Sequence, residues 1–136
     1  MPQVTTAFVA DPELIVELEK RARSIDLGSN RVLFRQGDAP IGVFILRKGT
    51  ATLTRRLDDE EVLTLQAGAG SLLGVPAVIG AKRYSLTAEA MEGAELSLLT
   101  CEYFVHLMHT EPELSFLVLQ LLAEEVRFAR EAVSHQ

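Results

Sequence analysis

A chain of 136 residues with 48% apolar side chains is long enough for one hydrophobic core and too apolar to stay disordered. Its formal charge is −6 and its isoelectric point is near 5.0, so it has no general attraction for phosphate backbones and direct nucleic-acid binding is not expected. Cys101 is its one cysteine, which excludes an intramolecular disulfide. No run approaches the ~18 apolar residues of a membrane span, and Met1 to Thr6 lack the basic region of a secretory signal. A cytoplasmic single domain over 1–136, without membrane contact, is expected.

Asp11-Pro12 reads as a helix cap followed by proline at the first helical position, and Leu14, Ile15, Leu18 and Ala22 recur at helical spacing. A short amphipathic helix over about 11–23 follows from that pattern. Over about 24–99 the chain changes to short apolar pieces broken by glycine or charged turns. The pieces are Ile25–Leu27, Arg31–Phe34, Val43–Leu46, Ala51–Leu57, Val62–Leu65, Leu72–Leu73, Tyr84–Met91 and Ala94–Leu99. Many short, evenly spaced strands predict a closed β-roll, and no intervening helix is long enough for repeated βαβ units. Asp58-Asp59-Glu60-Glu61 reads as a solvated hairpin tip.

After Leu99 the period becomes helical, with helices over about 101–109, capped by Thr100, and about 111–132. Thr110-Glu111-Pro112-Glu113 reads as a capping box for the second. That helix is apolar on nearly every face, so one roll cannot cover it and a second partner is required. Val118, Leu122, Val126, Ala129 and Val133 step by three or four residues, which predicts a homodimer seam.

The run Leu33-Phe34-Arg35-Gln36-Gly37-Asp38-Ala39-Pro40-Ile41-Gly42-Val43-Phe44-Ile45-Leu46-Arg47-Lys48-Gly49 is two strands joined by a Gly-Asp turn. With Gly70 and Gly74 added to Gly37, Gly42 and Gly49, it resembles the cyclic-nucleotide-binding domain family, the sensor module of catabolite-activator (Crp/Fnr-type) regulators. The resemblance covers about 11–133 and implies a mainly β fold with flanking helices. That fold is a double-stranded β-helix (a jelly-roll or cupin-like β-roll) between a short N-terminal and a long C-terminal helix. It also implies a non-catalytic regulatory role in signalling, with no cofactor beyond a small-molecule or nucleotide effector. Regulators of this kind carry a helix-turn-helix part after the long helix, and none is expected within 1–136.

The family's phosphate-binding cassette aligns with Gly70 to Ala88. Its implied ligand-binding residues here are Gly74, Val75, Pro76, Ala77, Arg83, Tyr84, Ser85 and Thr87. Two positions depart from the family pattern. Val75 stands where a glutamate accepts the ribose hydroxyl, and Tyr84 stands where an arginine pairs with the phosphate, with Arg83 one residue away. Losing that arginine costs about 2–5 kcal/mol, the range for breaking a buried charged pair. Standard binding of cAMP or cGMP is therefore not expected. Two readings remain: a sensor of another ligand, or a structural dimerisation or partner-interaction domain with a vestigial pocket.

Other constellations are weak. His106 and His109 are three apart on a helix, but no histidine precedes Glu102, so metal chemistry inside the roll is not expected. Cys101 at a strand–helix junction reads as a buried thiol. No acid–base or nucleophile constellation is legible, which argues against an enzyme.

Overall fold

The computed structural model describes residues 3–134, with side chains described from Thr5 to Glu131. Among them the order is β1 (Gln3–Thr5), α1 (Pro12–Glu19), β2 (Arg23–Ile25), β3 (Val32–Phe34), β4 (Gly42–Lys48), β5 (Ala51–Leu57), β6 (Glu60–Ala67), β7 (Ser71–Leu73), α2 (Val75–Gly80), β8 (Thr87–Ala90), β9 (Glu95–Thr100), α3 (Cys101–Thr110) and α4 (Pro112–Ser134). The strands form two sheets, in the orders β1-β6-β5-β8-β3 and β2-β9-β4-β7. Pairing is antiparallel throughout, apart from β1, which runs parallel to β6. This is the β-roll with flanking helices.

The apolar run Val43–Leu46 is explained by burial on both faces. Phe44 and Leu46 point into the core between the sheets, with Phe34, Leu53, Leu65, Leu73 and Leu96. Val43 and Ile45 point the other way, into a second core with Leu14 and Leu18 of α1, Phe104 and Leu107 of α3, and Leu114, Val118 and Leu121 of α4. Alternation along one strand thus glues the roll to its helices. Gly42 lets β4 lie tight against β9, because a Cβ there would fall 2.2 Å from the Leu99 carbonyl oxygen.

Local signals set the element ends. Asp11 accepts the Glu13 N–H at 2.8 Å and opens α1, and Thr100 accepts the Tyr103 N–H at 3.3 Å and opens α3. Asp58 and Asp59 both adopt positive φ, 52° and 66°, at the tip of the β5–β6 hairpin, as a primed two-residue turn requires.

Several expectations need correction. The helix expected over 11–23 stops at Glu19, because Arg23–Ile25 is claimed by pairing with Leu98–Leu96 of β9. The strand expected over Tyr84–Met91 begins only at Thr87, since Tyr84 bonds instead to the Gly37–Asp38 turn. The capping box at Thr110 does not form: its hydroxyl donates back to the His106 carbonyl at 3.0 Å, inside α3. β1 carries no sequence signal and exists through its pairing with β6.

Candidate functional site

The cassette lies between β7 and β8. Gly74 precedes α2 with φ +96°, a conformation that favours glycine, and a Cβ there would lie 2.9 Å from Tyr84 Cε1. Pro76 stands in the first turn of α2. Beyond the helix the chain is tied to the Gly37–Asp38 turn. The Gly37 N–H donates to the Tyr84 carbonyl at 2.8 Å, and the Tyr84 N–H to the Asp38 carbonyl at 3.0 Å.

Tyr84 is the centre of this arrangement. Its ring stacks on Phe34 at 3.8 Å between centroids, 14° from parallel. Its hydroxyl donates to the Gly42 carbonyl at 2.8 Å and accepts the N–H groups of Ile41 and Gly42 at 3.0 and 3.2 Å. Burial pushes the phenol above its ordinary pKa of 10.0, so it stays neutral. The side chain at the arginine's aligned position is therefore a packed structural strut.

Gly74, Pro76, Ala77, Tyr84 and Ser85 line one small cavity of about 60 Å³, together with Phe8, Phe34, Leu53, Leu73, Leu86 and Glu125. That volume is far below the ~300–1,000 Å³ of ordinary ligand pockets. The remaining expected ligand residues lie elsewhere. Val75 is fully buried in the helix-side core. Arg83 is exposed and donates from Nη1 to the Gly37 carbonyl at 2.7 Å, bracing the turn. Thr87 accepts the Gln36 N–H at 2.9 Å and, with Gln36 and Arg56, lines a different cleft. Ser85 and Thr87 part company because the strand, and with it the alternation, starts only at Thr87.

Glu125 escaped sequence reasoning. It belongs to the stripe Leu114, Val118, Leu121, Glu125, Phe128, whose four-three spacing turns this face of α4 toward its own domain. The other stripe members are apolar and packed in the two cores. A carboxylate at such a position was the available signal. Its Oε2 is closed off from solvent and has no hydrogen-bond partner, and burial pushes the carboxyl up to about 8. Beside Glu125 a larger cavity of about 690 Å³ opens between α4 and the roll, lined by Phe8, Arg55, Leu63, Leu86, Phe128 and Ala129 among others.

The expected seam is split by the same geometry. Val118 is 2% exposed and Leu122 packs against the helix-side core, so both serve their own domain. Val126 and Ala129 are exposed, and the side chain of Val133 lies outside the described residues. The free stripe is instead Phe116, Leu119, Ala123 and Val126, with Phe116 and Leu119 60% and 62% exposed.

His106 and His109 are exposed on α3. Cys101 is partly buried, donates to the Pro40 carbonyl at 3.3 Å and has its thiol pKa raised by burial. Among the described residues no helix is long and apolar enough to cross a membrane.

Comparison with solved structures gives the same fold. The Thermus thermophilus catabolite activator protein matches with a TM-score of 0.77 and 24% identity, over 91% of this chain and 59% of its own. This chain therefore spans about three-fifths of that regulator. The N-terminal domain of a Streptomyces coelicolor A3(2) transcriptional regulator matches at 0.65 and 21% identity, over 90% of this chain and 85% of its own. Oxidized CprK in complex with o-chlorophenolacetic acid matches at 0.75 and 17% identity, over 99% of this chain and 55% of its own. No curated protein matches the chain at the significance required. A sequence model described as the cyclic nucleotide-binding domain matches residues 25–111. The chain belongs to the cyclic nucleotide-binding domain family.

Proposed function

We propose that this domain is a non-catalytic ligand-sensing module that does not take cAMP or cGMP in its family's standard mode. The observation that carries this reading is the filled cassette. Tyr84 stacks on Phe34 and spends its hydroxyl on Gly42, Arg83 braces Gly37, and about 60 Å³ is left beside Phe34 and Tyr84. Glu125 is the charged residue lining that space. A cyclic phosphate would find no arginine or lysine among the described residues lining that space to pair with its charge. The fold also admits other ligands: CprK, similar in structure, is described in complex with o-chlorophenolacetic acid, which has neither ribose nor phosphate.

The proposed module works as a homodimer. The stripe Phe116, Leu119, Ala123, Val126 steps by three and four, as a two-helix seam does, and its large side chains face water in the single chain. Occupancy of the space under α4 would then bias one helix arrangement over another through different affinities for the two. A purely structural dimerisation or partner-interaction domain is the second reading, favoured by the small volume of the cassette cavity.

The test of the cassette is thermal denaturation with increasing cAMP, cGMP and cyclic dinucleotides. No saturable stabilisation is expected. A melting temperature that climbs and saturates with cAMP or cGMP, as mass action demands of a native-state ligand, overturns the proposal.

A further inference from the structure

The cavity of about 690 Å³ between α4 and the roll has the size of an ordinary small-molecule site, ~300–1,000 Å³. Its walls are apolar, from Phe8, Leu63, Leu86 and Phe128. Ser85 and Glu125 also line the small cassette cavity, so the two spaces meet at these residues. Glu125 lines both spaces, and one of its two carboxyl oxygens is closed off from water and unpartnered. A buried orphan acceptor is costly and rare in folded proteins, and a bound donor would remove that cost. An ionised carboxylate accepts hydrogen bonds and donates none, so its complement is a cationic N–H group. Arg55 lines the same cavity but is exposed and makes no ion pair with Glu125.

Resting on the reading that this domain senses an effector other than a cyclic nucleotide, we infer that this cavity binds an apolar small molecule with an amine head, anchored by Glu125. The apolar body lies against Phe8, Leu86 and Phe128, and the ammonium group donates to the carboxylate. Burial holds the carboxyl protonated at neutral pH. Binding of an ammonium ion therefore expels one proton to solvent and leaves an ion pair. The other charged groups near it are Arg55 on β5 and, in the adjoining cleft, Glu124, Arg127 and Glu131 on α4. Glu124 is already paired with Arg127. An anionic ligand forms no ion pair with Glu125 in either protonation state, and the neutral carboxyl offers it at most one O–H donor.

The experiment is isothermal titration of the full 136-residue chain with naphthylmethylamine, naphthylmethanol and naphthylacetate at neutral pH, with cAMP alongside. The amine is expected to bind saturably with release of a proton, and the acetate at least tenfold more weakly, as loss of one charge-assisted bond implies. Glu125→Gln is expected to weaken the amine at least tenfold while leaving the alcohol within threefold. Leu86→Trp, which narrows the cavity where the apolar body is placed, is expected to weaken amine binding at least tenfold. Equal affinity for amine and acetate, no amine binding, or an unchanged amine affinity in Glu125→Gln overturns the inference. An unchanged amine affinity in Leu86→Trp overturns its location. Failure of the amine alone leaves the sensor reading standing, whereas saturable cAMP binding sinks that reading and this inference together.

Discussion

Replacing Glu125 with glutamine should make the protein more stable, and increasingly so as pH rises. In the unfolded chain this carboxyl loses its proton near 4.5, whereas in the fold burial holds the proton up to about 8. Between those values the native state binds more protons than the unfolded state. Stability therefore falls as pH rises through the window and levels off above about 8. At ~1.4 kcal/mol per pH unit the whole window sets a ceiling of ~5 kcal/mol. Glu125 is only half-buried with one oxygen closed off, so solvent reduces the effect to roughly 2–3 kcal/mol. Glutamine is nearly isosteric and cannot ionise. The difference between variant and parent should be small at pH 4.5 and reach that full value near pH 9. For a domain of this size it corresponds to about 6–9 °C in Tm. Thermal and urea denaturation of both proteins across that range measures it, and the subtraction cancels every other titrating group. Parallel pH profiles for the two proteins would refute a buried, unpartnered carboxyl at this position.

Two further substitutions probe the framework. Tyr84→Phe keeps the stack on Phe34 but leaves the Gly42 carbonyl and the N–H groups of Ile41 and Gly42 without their partner. It should lower stability by about 2–3 kcal/mol in urea denaturation, and a loss below about 0.5 kcal/mol would show that the hydroxyl is no strut. Leu119→Asp should convert a dimer to a monomer in analytical ultracentrifugation without altering the circular dichroism spectrum, whereas Val118→Asp should unfold the domain. A Leu119→Asp protein that sediments as the unchanged dimer would contradict the exposed stripe as the seam.

The roll was legible because its signals are local. Alternation, turn residues and helix caps act between neighbours a few positions apart, and Asp11, Asp58-Asp59 and Thr100 each do in the fold what their residue types favour. The apolar run Val43–Leu46 was likewise legible as a strand, and the fold buries it on both faces. The departures in the cassette, Val75 and Tyr84, were also visible as residue identities.

What those side chains do instead depended on partners distant in the chain. Arg83 reaches Gly37, Tyr84 reaches Gly42 and Thr87 reaches Gln36, all across more than forty positions. The same holds for α4. Its sequence is apolar enough for more than one seam, and only its seat on α1, α3 and the roll turns Val118 and Glu125 inward and leaves Phe116 and Leu119 to the solvent. Periodicity fixes the angles between residues on a helix, but not the rotation of that helix against its neighbours. That rotation is chosen by the summed burial of the whole face, and it is what brings an unpartnered carboxyl to the mouth of the roll.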